Sequence, residues 1–233
     1  MKVNVVDYSL DWEKSFDQEA KKIRKSARHQ ENLVSILHIG STSVPALKAK
    51  PIIDMMLIVE DIAVLDQERD VFETLGYEYM GEYGLPGRRY MRKGGDERTH
   101  QIHAYQYDNS NEILRHVVFR DYLIQHEKTA REYEKLKTQL ASLYPDDIED
   151  YNKGKNDFVK KIEKRALMEY WKKKEENRRK RKRRGTIFKM LLGLLMFFMF
   201  FGFPFLPTRH SYYGWVEVAE KILWKIHINS WPM

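Results

Sequence analysis

Residues 36–59 read ILHIGSTSVPALKAKPIIDMMLIV, and the fold turns on this stretch. A short apolar run from Leu33 to Ile39 breaks at Gly40-Ser41-Thr42-Ser43 and then passes Pro45. After Pro51 a second, β-rich apolar run extends from Ile52 to Val59 with one carboxylate, Asp54, inside it. Burying an unpaired charge in a strand is costly, because water solvates a carboxylate far better than a protein interior does. Asp54 is therefore expected to meet a cation, a metal, or a phosphate carried with one. Gly40-Ser41 offers the other half of such a site. A small turn opening a short helix presents free backbone N–H groups to phosphate.

The same residues carry a family resemblance. Gly40-Ser41, a spacer of twelve residues and Asp54 on an apolar strand resemble the signature of the nucleotidyltransferase superfamily. The fuller string, His38-Ile-Gly-Ser-Thr-Ser-Val-Pro with Lys50-Pro-Ile-Ile-Asp54, looks like the GrpB family of predicted nucleotidyltransferases. The resemblance covers residues 5–171 and continues downstream. Arg88-Arg89 follows a Gly84-Leu-Pro-Gly87 turn, as in the family's Gly-Arg-Arg. Arg98-Thr-His100-Gln-Ile-His103 resembles the family's Arg-Thr-His-His-Leu-His, with Gln101 in place of one histidine. Phe119-Arg-Asp121-Tyr and Tyr151-x3-Lys155-x2-Phe158 also match, and Leu10 replaces the proline of the family's Tyr-x-Pro-x-Trp.

What the resemblance implies is metal-dependent transfer of a nucleotidyl or phosphoryl group from a nucleotide to an acceptor. In the superfamily, two carboxylates at alternate positions of one strand hold magnesium, because residues two apart face the same way. Here the second position is Met56, which cannot bind magnesium. The rival reading is a module that binds a nucleotide or another phosphorylated small molecule and transfers nothing. Under the first reading Ser41 and Asp54 are catalytic, and Gly40, Ser41 and Thr42 hold phosphate. Asp54 and His103 then hold a divalent metal, with magnesium, manganese and zinc as the candidates. His103 shares a strand face with Thr99 and Gln101; it is either a metal ligand or a hydrogen-bonded histidine that positions Asp54.

The remaining candidates each have two readings. His38 either orients Ser41 or is a core histidine bonded to backbone. Lys50 neutralises phosphate or ends a loop. One of Arg88 and Arg89, with Arg89 preferred, clamps a phosphate through its planar fork, or both lie on an edge strand. Lys155 is a second phosphate ligand at a helix start. Tyr151 and Phe158 read as core, and His116 and His126 as surface or packing residues.

The chain has 233 residues, enough for one good core and a small appendage, and no cysteine. A disulfide frame and a thiolate metal site are therefore excluded. The first nineteen residues are polar, so a secretory signal is not expected. The net charge of +7 is local: Arg178 to Arg184 (RRKRKRR) are all basic, and without them basic and acidic residues number 34 each. An extended nucleic-acid footprint is not expected from such a balance.

Helical spacing of Trp12, Phe16, Ile23 and Ala27 predicts a first helix, capped by Ser9 or Asp11. Residues 61–75 read as one helix ending at Gly76. Residues 77–83, 88–93 and 99–107 read as strands joined by glycine turns, hence antiparallel hairpins at a sheet edge. Residues 113–144 hold two helices with a break near Gln125-His126, and a further helix runs over 155–171. The expected fold is α/β (α+β), a nucleotidyltransferase-like mixed sheet covered by helices over residues 1–176.

Composition changes at Lys172. The basic residues 177–186 lead into residues 187–206, about 20 mostly apolar residues that span roughly 30 Å as a helix. The expectation is one transmembrane helix there, with anionic lipid headgroups against Arg178 to Arg184. The globular domain would then be cytoplasmic, and residues 207–233 a short amphipathic tail on the far side.

Overall fold

The two apolar runs flanking Gly40 become adjacent antiparallel strands, β1 (Leu33–Ile39) and β2 (Ile53–Val59), in the computed structural model, which describes residues 2–201. Three further strands complete one sheet: β3 (Tyr77–Tyr79), β4 (Arg88–Lys93) and β5 (His100–Gln106). The order is β1-β2-β5-β4-β3. Only β2 and β5 run parallel; every other pair is antiparallel. The hairpins expected at the sheet edge are thus present, and β5 returns to lie beside β2. The mixed sheet that results is covered by helices.

Alternation along β2 divides its side chains between two layers. Met55, Leu57 and Val59 join Ile102, Ala104, Met91 and Phe72 in the main core, roofed by α1 (Asp11–Ser26) through Trp12 and Ile23. Each such side chain, fully buried, contributes about 1.5–3 kcal/mol. Met56 and Ile58 point to the opposite face, where they pack with Ile39, Tyr105 and Ile113. That face is built over by α4 (Ser110–Gln125), α5 (Glu127–Leu143) and the first part of α6 (Ile148–Phe201). There Leu123, Tyr133 and Ile162 close around Val44 and Leu47 of the β1–β2 connection. Asp54 opens onto this second face.

The break between α4 and α5 falls at His126, as expected. The single helix expected over residues 61–75 is instead two, α2 (Ile62–Asp66) and α3 (Arg69–Thr74). The cause is tertiary. Glu68, almost fully buried, accepts the His29 backbone N–H at 2.6 Å, and Arg28 donates to the Gln67 carbonyl at 2.5 Å. The chain must bend there to deliver both groups.

Residues through Trp171 form one compact unit, and those from Lys172 another. No helix among the described residues is long and apolar enough to cross a membrane. This corrects the expected transmembrane helix over residues 187–206 and the single-pass membrane localisation drawn from it. Residues 202–206 and the tail expected over 207–233 lie outside the described residues.

Candidate functional site

Gly40 leaves β1 at φ +72° and ψ −169°, a backbone conformation that is in practice reserved for glycine. A Cβ built there would overlap the Asp54 carboxylate. Glycine is thus required for two reasons at once: the turn needs its conformation, and the backbone passes directly against Asp54. A single 3-10 turn, Ser41–Ser43, follows. It is pinned by Ser43 Oγ donating to the Gly40 carbonyl at 2.6 Å and Thr42 Oγ1 donating to the Ile52 carbonyl at 3.3 Å.

Behind the turn, His38 Nε2 lies 3.0 Å from Thr42 Oγ1, and its ring stacks on Phe16 at 4.8 Å. Burial, together with the nearby Arg120 guanidinium, lowers the His38 pKa to about 4, so the ring is neutral at pH 7. Since the Thr42 hydroxyl donates to Ile52, His38 donates to it from Nε2. His38 supports the turn from behind and is not among the residues lining the cavity described next.

Above Asp54 lies a cavity of about 360 Å³, within the size range of small-molecule sites. Ser41, Thr42, Lys50, Asp54 and Lys155 line it, as do Arg98, Gln101, Lys137 and Tyr151. The exposed Tyr83, Glu149 and Asn152 form its rim. Asp54 keeps 29% of its side chain exposed. Burial nonetheless pushes its carboxyl up to about 6, against the opposing pull of Lys50, Lys155 and Arg98.

The cations are displaced in the complementary sense. Burial, with Lys155 nearby, lowers Lys50 to about 8. Burial also lowers Lys155, which Asp54 partly offsets. Lys137 is only 2% exposed and is lowered to about 7 by burial and by Lys155; its ammonium donates to the Lys48 carbonyl. The Lys50 and Lys155 ammonium groups both rest over the Tyr151 ring, at 5.2 and 5.0 Å. Neither forms an ion pair among the described residues. Arg92, on the same wall, is neutralised by Glu78 at 2.5 and 3.0 Å.

The neighbour of Asp54 on β5 is Gln101, level with it in the parallel register, whereas His103 is level with Met56. With its amide oriented to suit its surroundings, Gln101 donates to Asp54 Oδ1 at 3.1 Å. Its oxygen then accepts from Tyr90 at 3.3 Å and from Arg98 at 3.2 Å. His103 Nε2 stays 4.0 Å from Asp54 Oδ1, beyond hydrogen-bond range. Burial, with His116 beside it, lowers His103 to about 3.

The donor set does not fit a divalent ion held by the protein alone. Among the described residues no group of three or more His, Cys, Asp or Glu side chains is placed to hold a metal. Asp54 has three cations acting on its charge, and Met56 is completely buried in the second core layer. A cation-lined cavity favours an anion over a metal ion.

The structure gathers Ser41, Thr42, Lys50, Asp54 and Lys155 around one space, sets Gly40 against Asp54, and leaves His38, Arg88, Arg89 and His103 out of the lining. Arg88 is buried, donates to the carbonyls of Tyr83 at 2.7 Å and Glu82 at 3.3 Å, and lies over the Tyr90 ring. Arg89 is committed to Asp66 in a bidentate pair at 2.6 and 2.7 Å. Both serve the turn and the edge strand. Sequence reasoning passed over Lys137, although a signal was present: it falls on the buried stripe of α5 with Tyr133 and Leu140. Tyr83, Tyr90 and the role of Gln101 carried no local signal.

A family profile described as GrpB protein matches residues 2–165. The chain belongs to the GrpB family. It is 42% identical over 172 residues to the UPF0157 protein YqkA of Bacillus subtilis, a match covering 74% of this chain but 49% of YqkA. The chain thus spans about half the length of that relative. Glutamate-rich protein GrpB of Alkalihalophilus pseudofirmus is 32% identical over 169 residues, covering 69% of this chain and 93% of the relative. Among solved structures, the conserved protein GrpB from Enterococcus faecalis is 50% identical with a TM-score of 0.69, covering 72% of this chain and 99% of that one. A cytoplasmic RNA terminal U-transferase is similar only at 9% identity and a TM-score of 0.34, a level that bears on neither activity nor substrate.

Proposed function

We propose that the cavity over Asp54 binds a phosphorylated small molecule, with Lys50, Lys155 and Arg98 meeting its phosphate oxygens. The observation that carries this reading is the pair of ammonium groups over Tyr151. Two half-buried lysines face one cavity, each displaced downward by burial, and they share the influence of Asp54 without either forming an ion pair among the described residues. Three cations, Lys50, Lys155 and Arg98, act on the one Asp54 carboxylate, and an anionic ligand offsets the excess positive charge. Asp54 then sets the position of the anion from below. Binding on this reading does not require a metal ion.

A second reading, nucleotidyl or phosphoryl transfer to an acceptor hydroxyl, is favoured by one further observation. The Asp54 carboxyl, held at about 6, is ionised at neutral pH yet basic enough to accept a proton. In that reading Asp54, beside Ser41, takes the proton of the acceptor hydroxyl, and the same cations neutralise the leaving pyrophosphate or nucleoside diphosphate.

The test is calorimetric titration of the full chain with inorganic triphosphate and with the four common ribonucleoside triphosphates. Each is run in chelator, in magnesium and in manganese. Binding in chelator is expected, with an affinity at least tenfold weaker in Lys155→Gln, since removing one charge-assisted contact costs about 1.5–3 kcal/mol. Asp54→Asn should bind more tightly, because the opposing charge is gone. Binding seen only with a divalent ion would overturn the metal-free reading. Release of pyrophosphate (nucleotidyl transfer) or of nucleoside diphosphate (phosphoryl transfer) that Asp54→Asn abolishes would establish turnover; binding without release of either would leave a binding module.

A further inference from the structure

The cavity has one feature that phosphate alone does not use. Tyr83 sits at its rim, 57% exposed, with its ring stacked on Tyr90 at 5.2 Å and only 18° from parallel. Its backbone lies at φ +43°, in a region that a residue bearing a bulky side chain adopts only at a cost. Glycine or asparagine would make the same turn more cheaply. The neighbouring Gly81 and Gly84 already supply left-handed positions.

The turn is nevertheless held firmly in this shape. Arg88, itself buried, donates to the carbonyls of both Glu82 and Tyr83, and Gly87 N–H donates to Glu82 Oε1 at 2.7 Å. A buried guanidinium thus secures an exposed aromatic ring in a costly conformation. From the floor, Asp54 reaches Gln101, Gln101 reaches the Tyr90 hydroxyl, and the Tyr90 ring carries Tyr83.

We propose that Tyr83 is the stacking platform for the base of a nucleotide whose phosphates occupy the Lys50–Lys155–Arg98 floor. This rests on the phosphate-binding reading of the cavity and narrows its ligand to nucleotides, against sugar phosphates and inorganic polyphosphate. One face of Tyr83 is covered by Tyr90, and the remainder is open to receive a flat ring. An aromatic face accepts any base, so the platform selects for a base rather than for one base. Arg88 is a positioning residue that acts through the turn.

The test compares inorganic triphosphate, ribose 5-phosphate, ATP and UTP on the full chain, for wild type, Tyr83→Ala and Tyr83→Phe. In wild type the two nucleotides should bind at least tenfold more tightly than inorganic triphosphate. That advantage should collapse in Tyr83→Ala and persist in Tyr83→Phe, which keeps the ring and loses the hydroxyl. Equal binding of inorganic triphosphate and nucleotides to wild type would overturn the platform while leaving the phosphate site intact. So would tight ribose 5-phosphate binding, or a nucleotide advantage that survives Tyr83→Ala. No binding of any of the four would overturn the phosphate reading, and the platform with it.

Discussion

Replacing Asp54 by Asn should make the protein more stable at neutral pH. The carboxyl lies about two pH units above its ordinary value of 3.8, and burial is the main cause. At about 1.4 kcal/mol per unit, keeping it ionised in the folded state costs about 3 kcal/mol. Asn has nearly the shape of the protonated acid and carries no charge, so it avoids that cost. It weakens the hydrogen bond that Gln101 donates, worth about 1 kcal/mol. The net expectation is about 2 kcal/mol of added stability at pH 7. The sign sets the pH dependence. Between 3.8 and about 6 the folded protein binds more protons at Asp54 than the unfolded chain does. Wild type therefore loses stability as pH rises through that window, and Asp54→Asn does not. Urea denaturation of both proteins near pH 4 and near pH 7 measures the difference directly. It should be small at the lower pH and about 2 kcal/mol at the higher. A variant that is less stable at pH 7, or a gap that does not change with pH, would refute the reasoning. A stabilising substitution in a central strand would mark Asp54 as a residue kept for its charge.

Gly40→Ala should destabilise the protein by about 2–4 kcal/mol, combining a left-handed conformation with overlap onto Asp54. Gly81→Ala, also left-handed but with open space around it, should cost only about 1–2 kcal/mol. Equal losses in denaturation would show that the approach to Asp54 is not what demands glycine. Affinity for inorganic triphosphate should fall about tenfold between pH 7 and pH 9, as Lys50, held at about 8, goes from mostly charged to mostly neutral. A flat profile in calorimetry would mean that Lys50 does not hold the anion.

Much of the floor of the site was legible from local pattern. The Gly40-Ser41 turn and Asp54 were marked by an interrupted apolar run and a lone carboxylate. The α4–α5 break and the glycine-bounded strands also followed from spacing. Lys155, read at a helix start, and Lys50, read at the end of a loop, stood out as cations of the site only through the family resemblance. Arg88 and Arg89 read as phosphate clamps because a sequence shows that arginine is present but not where its donors are spent. The structure commits them to the Tyr83 and Glu82 carbonyls and to Asp66. The expected membrane span was read from composition, and no helix among the described residues is long and apolar enough to bear it out.

By itself the sequence determined most of the strands and helices, and which strand carries the charge, because periodicity and turn chemistry act over a few residues. It missed the α2–α3 break and the start of α6 at Ile148, which puts Lys155 inside that helix and not at its start. Tertiary structure decided what that charge meets. The order β1-β2-β5 and its parallel register put Gln101, not His103, beside Asp54, and a register is set by long-range pairing that no local pattern encodes. It likewise brought Lys137 from α5 and Lys155 from α6 over a residue of β2. Helix packing, which buries lysine stems along with apolar side chains, is what assembled those cations into one site.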